Sequence, residues 1–276
     1  MAKMLKNALK TIEKYKSITP QYGELLDILG EILIKREEYR REIKKIIFPI
    51  DEGLVEMKIT GGLPLIDFSA GNFDLTEPKQ YFLALLEIAE KRVPGETKEI
   101  VQMIQDGSFN FEKLICDSFG TLHDDIPDEL DEDVIDLVDL FLEESLRPAL
   151  EKVAEKYGNK ITETGWAEGY CPICGKEPKI GEIKEEEGNR FLFCTQCGFE
   201  WRFRRIKCPF CGNEEQQTLA YFTIEGEEKY RVDVCHECKR YIKIVDFREA
   251  EEEANLDVED IATLHLDMLA NEEGYD

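Results

Sequence analysis

Eight of the nine cysteines in this chain of 276 residues form four Cys-x-x-Cys pairs within one short stretch. A divalent metal in a thiolate site takes four soft ligands in a tetrahedron, and a tight turn with two intervening residues presents two sulfurs at once. One such pair can be a redox motif. Four pairs, with aromatic and β-branched residues between them, predict two four-cysteine metal sites.

An internal repeat assigns the cysteines to these two sites. Cys171-Pro-Ile-Cys174-Gly175 matches Cys208-Pro-Phe-Cys211-Gly212, and in both cases a strand, a second pair and an aromatic residue follow. The first predicted metal site therefore consists of Cys171, Cys174, Cys194 and Cys197, and the second consists of Cys208, Cys211, Cys235 and Cys238. An interleaved arrangement, in which the first pair joins the third, is the alternative. We expect a positive φ after each second cysteine, at Gly175, Gly198, Gly212 and, as the exception to glycine, Lys239.

The ligand type sets the choice of metal, and the start of the chain and its apolar runs indicate the compartment. Thiolates accept both iron and zinc, so the cofactors are expected to be two metal ions, iron or zinc. Residues 1–16 lack the continuous apolar stretch of a signal peptide, and no run approaches the roughly 18 apolar residues that span a bilayer. We therefore expect a cytoplasmic protein without a membrane span, in which metal binding is favoured over a disulfide framework.

The net charge of −25 is unevenly distributed. Residues 166–248 are nearly neutral, whereas the segment from Glu249 to the end has no lysine or arginine. A chain this acidic repels nucleic acid, and we expect none as a partner. Five basic residues in the cysteine region are expected to offset the thiolate charge: Arg190, Arg202, Arg204, Arg205 and Lys207. An anion-binding or nucleic-acid surface is the alternative for this group.

The pattern of apolar residues predicts an α+β chain. Helices are expected over much of residues 1–165, including one that starts near Thr76 and ends near Arg92 and one from about Asp128 to Tyr157. The charged run 35–45 is expected to be a solvated helical surface. We divide the chain into an all-α helical domain (1–165), two rubredoxin-like or zinc-ribbon modules (166–206 and 207–248) and an acidic C-terminal helix (249–276), which we expect to be solvated.

Several other residues have both a chemical and a purely packing interpretation. His236 is expected to face solvent, His265 to be a partly buried packing residue, and Cys116 to be a small core residue. The cluster around His123 is expected to be a loop before a helix. Trp166, Trp201 and Tyr241 can anchor a partner, but packing over the cysteine turns is the favoured interpretation. We find no phosphate-binding loop and no nucleophile beside a base, so the chain is not expected to be an enzyme.

The cysteine region contains a series of longer motifs. The first two are Cys171-Pro-Ile-Cys174-Gly175 and Arg190-x-Leu192-x-Cys194-x-x-Cys197-x-x-x-Trp201. The series continues through Arg205-x-x-Cys208-x-x-Cys211-Gly212, through Cys235-x-x-Cys238-x-x-Tyr241-x-Lys243 and into the closing segment from Asp260 to Tyr275. In these motifs the chain resembles the FdhE family, the formate dehydrogenase accessory (formation) proteins. No motif of the family can be placed on residues 1–165.

This resemblance implies a cytoplasmic assembly factor that binds the catalytic subunit of formate dehydrogenase and helps it become active. It also implies rubredoxin-like metal sites, with iron as the proposed metal and the eight cysteines as ligands. Two alternatives from other functional classes are a rubredoxin-like iron redox protein and a zinc-ribbon nucleic-acid-binding protein. The run Arg202-Phe-Arg-Arg-Ile-Lys207 is the feature that supports the last of these.

Overall fold

The computed structural model describes residues 2–68, 73–119, 132–250 and 253–276. Within these ranges the helices that precede the cysteine region are α1 (Ala2–Ile18), α2 (Gly23–Glu42), α3 (Val55–Thr60), α4 (Thr76–Ala89), α5 (Pro94–Asp106), α6 (Phe111–Phe119) and α7 (Glu132–Thr164). The strands are β1 (Ile180–Lys184), β2 (Asn189–Phe193), β3 (Glu200–Phe203), β4 (Leu219–Phe222), β5 (Tyr230–Cys235) and β6 (Tyr241–Asp246). Helices α8 (Leu256–Ala262) and α9 (Leu264–Glu272) follow. The fold is α+β, in the predicted order of helices, cysteine-containing strands and C-terminal helices.

The helices differ from prediction mainly at their ends. Helix α4 begins at Thr76, with Leu75 in the N-cap position, and it ends at Ala89 rather than near Arg92. Helix α7 continues to Thr164, past the expected end at Tyr157. The expected start of α7 near Asp128 and the loop around His123 lie outside the described residues. In the described ranges, no helix is both long and apolar enough to cross a bilayer.

Helix α7 is the centre of the helical part and packs against α2, α3, α4, α5 and α6. Leu142, Leu146, Leu150 and Val153 recur at helical spacing along one face and are completely buried. The same hydrophobic core continues into the cysteine region and includes Ile173. The helical part and the first cysteine turns therefore share one core.

The charged run 35–45 is only in part the solvated helical surface that its composition predicts, because α2 ends at Glu42 and two arginines of the run are buried. Arg36 is 7% exposed and Arg40 is 4% exposed. The Arg36 Nε donates to the Glu144 Oε1 (2.8 Å), and Arg40 pairs with Glu155. Both carboxylates belong to α7, so α2 buries an arginine face against a helix that supplies the opposite charge.

The strands form one six-stranded sheet with the order β3-β2-β1-β6-β5-β4. Strands β1 to β3 make one antiparallel unit, and β4 to β6 make another. The two units join through a parallel pair, β1 with β6, in which Ile180 lies opposite Lys243. The sequence repeat thus appears as two similar halves of one sheet rather than two separate ribbons. The domain boundaries at 165, 206 and 248 stay predictions.

The acidic C-terminal segment is also not a solvated helix. It forms two short packed helices, and Val258 of α8 is buried against α1 and α2, whereas Leu266 of α9 is buried against β5. The Asn255 side chain caps α8 by accepting a hydrogen bond from the Val258 amide (3.2 Å). The prediction was wrong because the acidic residues of α8 have partners elsewhere in the chain. Asp257 pairs with the buried Arg36 and Arg147, and Glu259 accepts hydrogen bonds from Tyr15 and Tyr230.

Candidate metal centres

The four Cys-x-x-Cys pairs adopt one common turn. In the first turn, the Cys171 amide donates to the Lys176 carbonyl (2.8 Å) and the Gly175 amide donates to the Cys171 carbonyl (2.9 Å). The equivalent two hydrogen bonds recur in the other three turns, with N···O distances between 2.8 and 3.1 Å. The repeat seen in the sequence is therefore a repeat of backbone geometry.

The residue after each second cysteine has a positive φ, as expected from the sequence. The φ angles are 78° at Gly175, 69° at Gly198 and 74° at Gly212. The fourth turn has Lys239 in this position, with φ at 58°. A residue with a Cβ pays about 1–2 kcal/mol for this conformation, so three of the four turns avoid the cost with glycine.

The first cluster consists of the sulfurs of Cys171, Cys174, Cys194 and Cys197, all buried. The Cys171 and Cys197 Sγ atoms are 3.3 Å apart, and the Cys174 and Cys194 Sγ atoms are 3.4 Å apart. Each cysteine of the first Cys-x-x-Cys pair therefore has one cysteine of the second pair as a close neighbour. The sequential grouping is the one that the structure brings together, and the interleaved alternative is not.

The helical part holds the first cluster directly. The amides of Leu65 and Ile66 donate to the carbonyls of Pro172 and Ile173, at 2.9 and 3.0 Å. These two acceptors lie between Cys171 and Cys174. A segment from the loop after α3 is therefore bonded to the cysteine turn itself.

The second cluster consists of the sulfurs of Cys208, Cys211, Cys235 and Cys238. The Sγ atoms of Cys208 and Cys238 are 3.7 Å apart, as are those of Cys211 and Cys235. Unlike the first cluster, it reaches the surface, since Cys211 is exposed and Cys238 is partly exposed. The side-chain amide of Asn213 lies 3.7 Å from the Cys235 sulfur and also donates to the Thr218 hydroxyl.

The sulfur geometry fits a tetrahedral metal. In each cluster the four sulfurs lie within 4.8 Å of one another. Four thiolates at about 2.3 Å from a central zinc are separated by about 3.8 Å, close to the observed spacing. The soft donor set suits zinc or iron and disfavours magnesium or calcium. Each cluster can therefore hold one such ion.

The protein alone does not stabilise four thiolates in the first cluster. Burial raises the pKa of the Cys171 and Cys197 thiols well above their ordinary value. Burial opposes ionisation of Cys194 as well, but hydrogen bonds from the neighbouring cysteines and the charge of Arg147 hold the pKa of Cys194 well below its ordinary value. A central cation supplies the charge that four buried thiolates require.

Arg147 of α7 is a buried cation that acts on the first cluster, and it was not among the residues predicted from the sequence. It is 2% exposed and donates to the Thr195 carbonyl, inside the second cysteine turn. It also pairs with Glu151 (2.9 Å) and with Asp257 of α8 (3.1 Å). An arginine inside the apolar run Leu146-Arg-Pro-Ala-Leu150 was the available signal, since such a charge is buried only with partners.

The basic residues expected to offset the thiolates are only partly used in that way. Arg190 is buried beside the second cluster and donates to Asp233 (3.2 Å) and to the carbonyls of Arg204 and Lys207. Arg202 donates instead to the side-chain carbonyl of Asn189 (2.6 Å), which belongs to β2 and to neither cysteine cluster. The compensating role therefore applies to Arg190 more than to the exposed members of the group.

The remaining candidates have packing or surface roles. Trp166 and Trp201 are 6% and 4% exposed, so their rings pack inside the protein rather than anchor a partner. His236 is exposed and contacts the Tyr275 hydroxyl (2.9 Å), whereas His265 is half-buried against Glu227 (2.8 Å). The Tyr241 hydroxyl donates to Asp267 (2.8 Å). The side chain of Cys116 lies outside the described residues.

Comparisons with protein-family models match the cysteine region in two consecutive pieces. The model described as "FdhE, central domain" matches residues 170–205, and the model described as "FdhE, C-terminal domain" matches residues 206–276. The junction between the two models falls between the first and the second cluster. Each model therefore contains one complete four-cysteine cluster.

Relatives extend the similarity beyond this region. A protein from Aquifex aeolicus named "Protein FdhE homolog" is 31% identical over 271 residues, which cover 97% of this chain and 91% of that protein. The protein FdhE of Salmonella arizonae is 33% identical over 121 residues, covering 43% of this chain and 38% of that protein. The crystal structure of the FdhE protein from Pseudomonas aeruginosa matches with a TM-score of 0.74 at 21% identity, over 100% of this chain and 94% of that chain, and so has the same fold.

Proposed function

Because the chain belongs to the FdhE family, we propose that it is an accessory protein that binds the catalytic subunit of formate dehydrogenase and helps it become active. The observation that carries this proposal is the 31% identity to an FdhE homolog along 97% of the chain. The similarity includes the helical part, on which no family motif can be placed from the sequence. The whole chain, and not the cysteine region alone, is therefore the functional unit in this proposal.

In this proposal each cluster binds one metal ion, iron or zinc. The ligands are Cys171, Cys174, Cys194 and Cys197 in the first site and Cys208, Cys211, Cys235 and Cys238 in the second. The ion supplies the positive charge that holds four thiolates together and so fixes two turns of the chain to each other. The first site ties the sheet to the helical part, because its turns lie in the shared core.

A non-catalytic role is supported by the ligand number. Structural thiolate sites use four protein ligands, whereas catalytic zinc sites keep one position for water or substrate. Each cluster offers four sulfurs within 4.8 Å of one another, which completes a tetrahedron. We propose that the protein acts by binding its partner, in the cytoplasm, where thiols stay reduced.

The proposed function is tested by capture of the partner. The tagged full-length chain, with its metal content measured, is used to capture proteins from a native lysate of the source organism at moderate salt. Enrichment of the formate dehydrogenase catalytic subunit over a tag-only control is the expected result. Recovery of electron-transfer proteins or nucleic acid without that subunit would contradict the proposal.

A rubredoxin-like redox role is a second candidate, and one observation favours it. The second cluster is open to solvent at Cys211, which brings a bound ion close to the surface, where electron exchange with another protein is possible. Purified protein that contains iron and changes its visible spectrum reversibly on reduction would support this role. A colourless protein loaded with zinc at both sites would exclude it.

A further inference from the structure

A cavity of about 310 Å³ lies beside the second cluster, between the turn 206–210 and strands β4 and β5. Its size is at the lower end of the range typical of ligand pockets, about 300–1,000 Å³. Cys208 and Cys235 contribute to its wall, so the cavity is built on the metal-binding turns. We call it the arginine cavity, after the side chains that line it.

The arginine cavity concentrates positive charge in a strongly acidic protein. Five cationic side chains line it: Arg190, Arg205, Lys207, Arg231 and Arg240. Among the described residues of the lining, Asp233 is the one carboxylate. The chain as a whole carries −25, so this local excess of cations is opposite to the overall charge.

Carboxylates inside and around the cavity neutralise part of this charge, since Arg240 pairs with Glu177 (2.7 Å) and Lys207 lies 3.8 Å from Glu214. Asp233 is shared, since it lies 3.2 Å from Arg190 and 2.8 Å from Arg231. The Nε of Arg190 has no hydrogen-bond acceptor among the described residues. Arg205 is exposed and has no ion-pair partner within the described parts of the chain. The exposed guanidinium of Arg205 is therefore free to bind a carboxylate through charge-assisted hydrogen bonds.

The cavity also offers apolar surface for a side chain. Tyr221 and Ile206 line it and are 63% and 50% exposed. The pairing of β4 with β5 places Tyr221 opposite Asp233, so an apolar ring and the charged groups lie on the same face of the sheet. The opposite face of these strands is covered, because Val232 and Val234 pack against α9.

We infer that the arginine cavity is a docking site for an acidic segment of the partner protein, one that presents a carboxylate and a large apolar side chain. The carboxylate contacts Arg205 and Arg231, and the apolar side chain packs on Ile206 and Tyr221. This inference rests on the proposed function, since it assigns a binding surface for the same partner.

The charge distribution favours a peptide over nucleic acid. Double-stranded DNA carries about one charge per 1.7 Å, and a protein holds it with a basic surface that follows the backbone over many contacts. Here five cationic side chains surround one concave site, on a chain whose net charge is −25. A peptide places one or two carboxylates in such a site without bringing a long polyanion against the rest of the surface.

The first test uses a short fluorescein-labelled peptide of alternating Glu and Tyr, with a Gln/Tyr peptide for comparison. The full-length, metal-loaded chain is expected to bind the Glu/Tyr peptide more tightly. Arg205→Glu is expected to weaken this binding by about tenfold or more, and Tyr221→Ser by several-fold. The matched controls are Lys6→Glu and Leu63→Ser, exposed changes of the same chemistry on the helical part, and they are expected to leave binding unchanged.

The second test identifies what occupies the cavity in a captured complex. A photo-crosslinking p-benzoylphenylalanine replaces Tyr221, and crosslinks to the captured catalytic subunit are located by mass spectrometry. A crosslink to an acidic segment of that subunit is the expected result. A crosslink to a basic segment, to a second copy of the chain or to nucleic acid would overturn the inference.

The two tests separate this inference from the proposed function. Equal peptide binding by Arg205→Glu and Lys6→Glu, or no binding by the unmodified chain, would overturn the docking site whatever protein is captured. If the peptide results hold but no catalytic subunit is captured, the proposed function fails and the site for acidic segments stands. Metal content and circular dichroism, measured for each variant, exclude a loss of binding that is caused by misfolding.

Discussion

Asp257→Asn removes the carboxylate that joins two buried arginines from different helices. The Oδ2 of Asp257 lies 3.2 Å from Arg36 of α2 and 3.1 Å from Arg147 of α7. The two arginines are 7% and 2% exposed, so neither can turn to water when its partner is neutralised. The change is expected to destabilise the protein because it leaves buried positive charge without its partner.

The size of the effect follows from this geometry. Breaking a buried ion pair costs about 3–5 kcal/mol, and the lower end applies because Arg36 keeps Glu144 and Arg147 keeps Glu151. With an unfolding entropy of about 2.1 cal/mol/K per residue over 276 residues, a loss of about 3 kcal/mol lowers Tm by about 5 °C. The assay is thermal unfolding of the metal-loaded variant followed by circular dichroism.

The control for this prediction is Asp27→Asn, which removes an exposed carboxylate that pairs with Lys16 at the surface (2.6 Å). Exposed ion pairs contribute little to stability, so its Tm is expected to stay at the wild-type value. An equal Tm for Asp257→Asn and Asp27→Asn would refute the idea that the buried network stabilises the fold.

The pH dependence of the same variant gives a second check. Burial opposes ionisation of Asp257, but the charges of Arg147 and Arg36 hold its pKa below the ordinary value of 3.8. A carboxylate with a lowered pKa in the folded state contributes stability that is complete above its unfolded pKa and is lost as the pH falls through the folded one. The deficit of Asp257→Asn in the urea midpoint is therefore expected to be constant down to about pH 4. A deficit that already shrinks near neutral pH would mean that the pKa is raised.

Three further predictions concern the clusters and the contact between the halves of the sheet. With a chelator, metal release is expected in two phases, the second cluster first because Cys211 is exposed, and a single phase would contradict this order. Each of Cys211→Ser and Cys174→Ser is expected to remove about one metal ion per chain. Cys174→Ser is expected to lower Tm more, because the first site lies in the shared core, and equal Tm values would argue against a structural role for that site. Gly169→Ala is expected to destabilise the protein by about 3 kcal/mol or more, because its Cβ would overlap the Pro209 carbonyl oxygen. Gly95→Ala, whose Cβ would have nothing within 4 Å, is the control, and similar urea midpoints for the two variants would be inconsistent with this contact.

The cysteine turns could be predicted because they are local. Each turn is set by residues adjacent in sequence, so the spacing of Cys171 and Cys174 and the glycine that follows them contain the necessary information. The sequence repeat then indicates the grouping into two clusters, which the structure brings together. The one feature that departs from the pattern, Lys239, still adopts the predicted positive φ, since the turn imposes it.

The buried ion pairs could not be predicted because their partners are distant in sequence. Arg36 meets Glu144, 108 residues away, and Asp257, 221 residues away. A local pattern of charges cannot show that a partner helix covers them, so the run 35–45 and the acidic segment after Glu249 both resemble solvated surfaces. The parallel pairing of β1 with β6 was missed for the same reason, because it joins strands from opposite ends of the cysteine region.

The measurement that tests the account most directly is formate dehydrogenase activity in cells of the source organism that lack this chain. Reintroduction of the unmodified chain is expected to restore activity, whereas a variant with Cys194→Ser and Cys235→Ser, one ligand changed in each cluster, is expected to restore little. Protein levels of the variant and of the catalytic subunit are measured in parallel, so that a simple loss of either protein is recognised. Full activity in cells without the chain, or full rescue by a variant shown to have lost both metal ions, would contradict the account.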